Sequence, residues 1–253
     1  MEKILNVYKK RGETPLECIE RFRVANPEYQ NISMTYAGRL DPLAEGVLIV
    51  LCGEQVHAKD SFSNLPKSYR VQALLGVATD THDLLGIPIA YRRYEFDIVE
   101  AQVRNAIEGF TSITEMQYPP YSSKTSGGTP LFVHARLGTL PDVLPSRKVE
   151  IHTSEYVRMF EISKEELYTS IHESISMVSG DFRQEEISTA WDAIRDDVPS
   201  QLMIVEFYIE CGSGVYMRNL ARMLGEKLGI PALAFSIVRE SVGEYQLKDS
   251  FTS

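Results

Sequence analysis

Cysteine is scarce in this sequence, with only Cys18, Cys52 and Cys211 among 253 residues. Their number is odd, they lie far apart and they never fall in C-x-x-C spacing, so neither a disulfide framework nor a zinc site is expected. The thiols read as small buried hydrophobes. Long apolar runs are missing too. The longest, Gly46 to Cys52 (GVLIVLC), is far shorter than the roughly 20 residues that cross a bilayer as a helix. The opening MEKILNVYKKRG lacks the apolar core of a signal peptide, so a cytoplasmic protein with no membrane contact is the expectation. Internal repeats and low-complexity tracts are absent as well, which excludes a solenoid.

Positive charge is short. The chain holds 26 Lys and Arg against 35 Asp and Glu, a formal net charge of −9. That weighs against a nucleic-acid partner, because the Lys and Arg that neutralise phosphates supply most non-specific affinity. The deficit is local, however. Residues 150 to 200 hold twelve acidic and four basic side chains, a net of −8 that leaves about −1 for the remainder, where a basic face can still form.

What is present is ordinary for a globular chain: 43% hydrophobic and 24% charged residues over a length that can bury one sizeable core. Residues 3 to 8 read as a strand. Thr14-Pro15-Leu16-Glu17 then supplies an N-cap, a proline at N1 and a glutamate at N3, which predicts a helix to about Ala25. YAGRLDPLAEG is irregular backbone ahead of the apolar GVLIVLCG strand. KSYRVQALLG alternates as a strand, TDTHDLLG is a loop, and Ile98, Val99, Val103, Ile107 and Phe110 recur at helical spacing. MQYPPYSSKTSGGTP is rich in breakers and reads as an exposed loop able to reach over a ligand. Further strands are predicted around 148–158, 203–211 and 232–239, with a helix in VYMRNLARMLGEKLG. Between them, residues 163 to 196 carry two amphipathic helices. The whole is α+β (mixed α/β), a single domain of residues 1–253 around one sheet.

One carboxylate stands out by its surroundings. Asp41 lies in G-R-L-D-P-L-A-E-G-V-L, a glycine-flanked loop directly before the apolar strand; by itself an Asp there is an ordinary turn former. The stretch resembles the G-x-L-D-P-x-A-x-G-x-L segment that carries the catalytic Asp of TruB-type pseudouridine synthases. Other segments resemble that family in the same order. KKRGETPLECIE is similar to its N-terminal K-x-x-G-x-T-S, with Pro15 where Ser is usual. KSYRVQALLGVATDTHDLLG, PPYSSKTSGGTPLFVHARLG, CGSGVYMRNLARMLGEKLG and IVRESVGEY follow, covering most of residues 3 to 245.

The resemblance implies an isomerase that breaks the uridine C1′–N1 bond, turns the base and rejoins it through C5, with no cofactor and no metal. The implied substrate is the uridine at position 55 in the T loop of tRNA. Asp41 would be the catalytic carboxylate, Tyr69 the aromatic ring stacked on the extruded base, and Arg218 the partner that keeps Asp41 ionised. Ile237 falls at the family's pocket-lining Leu, and Lys67 and Lys124 are candidate phosphate contacts. Tyr36 stands where the family has a His that holds the flipped nucleotide, and can stack but cannot act as imidazole does.

Two further departures follow from the comparison with the family pattern. The chain ends soon after V-G-E-Y, so no C-terminal PUA domain is expected. The acidic helical stretch at 163–196 reads as an insertion, a solvated hairpin packed on the side away from RNA. A monomer is expected. The same fold could alternatively serve a synthase acting on another structured RNA, or a non-catalytic RNA-binding protein.

Overall fold

The computed structural model describes residues 3–93 and 97–252 of the chain. Its frame is one mixed sheet, built from β1 (Ile4–Lys9), β2 (Met34–Ala37), β3 (Ala44–Cys52), β4 (Lys67–Leu75), β5 (Ile151–Ser163), β6 (Gln201–Cys211), β7 (Ala232–Val242) and β8 (Tyr245–Gln246). The spatial order is β1, β3, β7, β4, β6, β5, with β2 paired to β3 and β8 to β7. Every pairing in it is antiparallel except that of β3 with β7. The expected α+β (mixed α/β) chain is what forms, around a sheet that is mixed and largely antiparallel.

Period-two alternation gives the sheet two covered faces. Val71, Ala73 and Leu75 of β4 and Val205, Phe207 and Ile209 of β6 point into one core, with α2 (Glu100–Glu108) and α5 (Met217–Leu228) packed there, and Leu74, Leu202 and Ile204 point into another. A third core lies under α1 (Pro15–Ala25), whose Cys18, Ile19 and Phe22 meet Leu5, Val7, Leu48 and Val50. That helix starts where the sequence predicts: the Thr14 amide donates to Glu17 Oε2 at 2.6 Å and the Glu17 amide to Thr14 Oγ1 at 3.3 Å.

The second core corrects the expectation of a solvated hairpin. The two acidic helices exist, as α3 (Lys164–Met177) and α4 (Gln184–Ala193), but Leu167, Tyr168, Ile171, Ile187 and Trp191 are all buried against Leu74, Leu85, Ile204 and Leu233. The Trp191 indole N–H donates to the carbonyl of Gly86 at 3.1 Å. Their acidic residues occupy the outward faces only, so the pair is part of the fold. Boundaries differ elsewhere too: Ser146–Lys148 pairs with Glu115–Gln117, and β5 runs on to Ser163 because its partner β6 continues to Gln201. The breaker-rich stretch is partly ordered, with Thr125–Ser126 paired to Thr129–Pro130 ahead of a short helix, Leu131–Leu137.

Strand β7, next to last in sequence, sits at the sheet's centre. Its register against β4 shifts between Ala234 and Ser236 and again between Arg239 and Ser241, irregularities of the kind that re-aim side chains. Beside it β3 approaches closely at Gly46, where φ is +108° and a Cβ would lie 2.3 Å from the Arg239 carbonyl oxygen. The loop ahead of β3 is thereby drawn against the middle of the sheet.

Candidate active site

That loop, residues 38–43, carries Asp41, and two buried cations pin its backbone. Arg239, 0% exposed, donates through Nε to the carbonyl of Val47 at 2.7 Å and through Nη2 to that of Gly38 at 3.0 Å. Lys9, also 0% exposed, donates through Nζ to the carbonyls of Ala44 at 2.6 Å and Pro42 at 3.1 Å, and the Gly12 amide donates to Pro42 at 2.9 Å. Burial pulls the Lys9 ammonium down to about 8. A turn left to itself would sample many conformers; here its carbonyls are satisfied by donors rooted in β1 and β7.

Asp41 meets Arg218, from the first turn of α5, in a two-pronged ion pair: Nε to Oδ2 at 2.7 Å and Nη2 to Oδ1 at 3.1 Å. The guanidinium is itself oriented by two carbonyls, Thr81 through Nη1 at 2.7 Å and Tyr121 through Nη2 at 3.1 Å. A second carboxylate, Asp83, stands with Oδ2 at 3.7 Å from Arg218 Nε. Its Oδ1 accepts from Thr81 Oγ1 at 2.7 Å and from the Leu85 amide at 3.0 Å. Burial pushes Asp83 up while Arg218 opposes it, and burial pulls Arg218 down against the stronger upward push of Asp41 and Asp83. The two carboxylates differ in access: the Asp83 side chain is 9% exposed, that of Asp41 30%. Asp41 is thus a fixed carboxylate, held by a bidentate partner and keeping lone pairs for a reacting atom.

A cleft opens at Asp41, bordered by Leu43, Ala44, Asp83 and the bulged stretch of β7 from Ala234 to Ile237. Ile237 therefore shares the cleft with Asp41. Tyr69 lies in the same core cluster as Leu40, Ala44 and Ile237, faces Arg239 in the strand register, and has its phenol raised by burial. Close by, burial and the Asp41 charge push the Tyr216 phenol up to about 12. Lys124 is exposed, its ammonium 5.5 Å from the Tyr118 ring, which in turn meets Tyr216 edge-on.

Two further expected contacts have partners within the chain. Lys67 is 7% exposed and donates to the carbonyls of Ser63 at 2.9 Å and Leu65 at 2.6 Å, so it fastens the turn before β4 instead of offering a free ammonium to phosphate. Tyr36 packs half-buried on the α1 core with Met34 and accepts from Arg39 Nη2 at 3.1 Å. Sequence reasoning passed over Lys9, Asp83, Tyr216 and Arg239 as site residues. The available signal was placement: Lys9 and Arg239 are charges on inward-facing strand positions, and Asp83 closes the T-D-T-H-D loop. Among the described residues no His, Cys, Asp and Glu group of three or more gathers as metal ligands, and no helix is long and apolar enough to cross a membrane.

Comparison with known proteins bears on the chain as a whole. Residues 28–179 match the family model of the TruB family pseudouridylate synthase (N terminal domain). A tRNA pseudouridine synthase B of Lactobacillus gasseri is 28% identical over 247 residues, 98% of this chain and 70% of the relative. Those of Thermotoga maritima and Deinococcus radiodurans are 28% and 30% identical over 98% and 85% of this chain, which spans 65% and 66% of their own lengths. Among solved structures, a Cbf5–Nop10–Gar1 complex superposes with a TM-score of 0.55 at 15% identity, over 96% of this chain and 49% of that one. An H/ACA ribonucleoprotein bound to substrate RNA gives 0.52 at 15% identity, over 96% and 48%. At such identities these structures bear on the fold alone.

Proposed function

The chain belongs to the TruB family of pseudouridylate synthases, and from that premise we propose that it isomerises uridine to pseudouridine in tRNA, at position 55 of the T loop, with Asp41 as the reacting carboxylate. The observation that carries the site assignment is the two-pronged Asp41–Arg218 ion pair at the mouth of the cleft. In this reading the uridine is turned out of its stack and enters beside Ile237 and Tyr69. Asp41 acts at the ribose, either as nucleophile on C1′ or in a glycal-forming route. The C1′–N1 bond breaks, the freed base turns, C1′–C5 forms, and the C5 proton leaves as N1 gains one. Arg218 pairs with the carboxylate and aims it. The protein works in the cytoplasm as a monomer, needing neither metal nor cofactor.

The test pairs the wild type with Asp41→Asn on an unmodified tRNA transcript, reading pseudouridine site by site beside a filter-binding titration at fixed salt. Asn keeps the size and the turn hydrogen bond but not the charge, so modification at position 55 should vanish while affinity stays within about twofold, since phosphate and stacking contacts carry binding. Turnover by Asp41→Asn sinks the mechanism. Wild-type modification of a different RNA only would move the target.

A further inference from the structure

Besides sharing a core with Leu43 and Leu85, the acidic helix pair extends a charged side chain toward the candidate site. Arg183, in the linker between α3 and α4, adopts φ +62°, a conformation that residues with a Cβ hold only when their surroundings impose it. Its guanidinium donates to Asp80 Oδ2 at 2.8 Å and Oδ1 at 3.3 Å, and lies over the Tyr121 ring, 4.4 Å from the centroid. The side chain is 12% exposed. Two residues earlier, Asp181 is gripped by Arg136 of the 131–137 helix through its carboxylate at 2.8 Å and its carbonyl at 2.6 Å.

Both partners of Arg183 lead inward. Asp80 Oδ1 also accepts from the Ile87 amide at 2.8 Å, closing the loop that presents Thr81 and Asp83. Tyr121 presents its own carbonyl to Arg218. The two carbonyls that orient Arg218, those of Thr81 and Tyr121, thus belong to the two segments that Arg183 fastens together. Without that fastening, the two segments keep at this point only the direct contact of the Tyr121 phenol with Asp80, and the plane of the Arg218 guanidinium loses part of its reference.

We propose that Arg183 is a positioning residue of the catalytic centre, acting through Asp80 and Tyr121 to hold the carbonyls that set Arg218 against Asp41. The proposal rests on reading Asp41 and Arg218 as the reacting pair, and it gives α3 and α4 a part in turnover as well as in the core. A charge-assisted fork combined with a stacked ring is a contact that guanidinium makes and an ammonium does not reproduce.

The experiment compares wild type, Arg183→Gln, Arg183→Lys and, as a matched control, Arg195→Gln, which removes another cation stacked on a ring of the same helix pair, Tyr168. Four quantities are measured on the full chain: the single-turnover rate on a tRNA transcript, tRNA affinity, the thermal midpoint, and solvent exchange of the Arg218 Nε–H by NMR. Small misplacements of catalytic groups cost up to about a hundredfold, so Arg183→Gln should slow the rate by about tenfold or more, leave affinity within about twofold, and speed Arg218 exchange. Arg183→Lys should fall between, and Arg195→Gln should keep wild-type rate and exchange even where it melts lower. An unchanged rate or unchanged Arg218 exchange in Arg183→Gln overturns the proposal. So does an equal slowing by Arg195→Gln. Should the wild type make no pseudouridine, the functional reading falls, and the exchange measurement by itself then decides whether Arg183 holds Arg218.

Discussion

Arg218 separates two carboxylates by access, and its neighbours define what single substitutions should do. Tyr69 is buried beside Ile237, so Tyr69→Phe keeps the ring and should preserve tRNA affinity while turnover falls, whereas Tyr69→Ala should damage both, since a stacked base is worth about 1–3 kcal/mol. Wild-type turnover in Tyr69→Ala would refute the role. His82 gives a pH prediction. Burial and the nearby Arg222 and Arg218 charges lower its imidazole to about 4, and its Nδ1 lies 3.1 Å from Asn219 Oδ1. An unfolded histidine titrates near 6.5, so between about 6.5 and 4 the unfolded chain binds a proton that the folded chain does not. Stability should therefore fall as pH drops through that window, by at most about 3 kcal/mol for this group. His82→Asn, which tolerates the local φ of +65°, should flatten the profile in urea titrations at pH 7, 5.5 and 4.5; parallel profiles for the two proteins would exclude the effect.

Among the elements, α3 and α4 yield the plainest test of their place in the core. Trp191 is 1% exposed and bonded to Gly86, so Trp191→Ala should cost about 3–5 kcal/mol in denaturant titrations. A cost under about 1 kcal/mol would restore the picture of a solvated hairpin. How far sequence reaches is visible here. The start of α1 is legible because Thr14 and Glu17 bond each other's backbone amides three residues apart and Pro15 fixes its own φ at the first helical position. The helical repeat of 163–196 is legible for the same local reason, but the surface it covers is not, because Leu74, Ile204 and Leu233 come from three separate strands that only the folded sheet brings together. Within the site, Asp41, Tyr69, Arg218 and Ile237 were named through motif resemblance, and Asp41 and Arg218 do meet. Lys9, Arg239 and Arg183 escaped because a lone Lys or Arg in a sequence looks like solvated surface; only the folded chain shows that their donors end on loop carbonyls and on Asp80. Lys67 misled for the converse reason, since its burial depends on the turn at 63–65.

At the scale of the whole molecule, neighbouring residues of single strands serve opposite cores: Ala73 and Leu74 of β4, and Ile204 and Val205 of β6. Neither core can be lost without the strands that build the other. Thermal unfolding should therefore be one cooperative transition, with calorimetric and van't Hoff enthalpies equal, and two resolved transitions would contradict it. The position of β7 has a further consequence during synthesis. The chain leaves the ribosome from its N-terminus, so β3 and β4 emerge long before Ala232–Val242, the strand that lies between them and touches both. Until then the nascent polypeptide has the two halves of its sheet with an open slot down the middle, and both slot walls offer unpaired strand edges of the kind that invite aggregation. Asp41 shares that delay, because Arg239 and Ile237 arrive on the closing strand and Arg218 on the helix just before it.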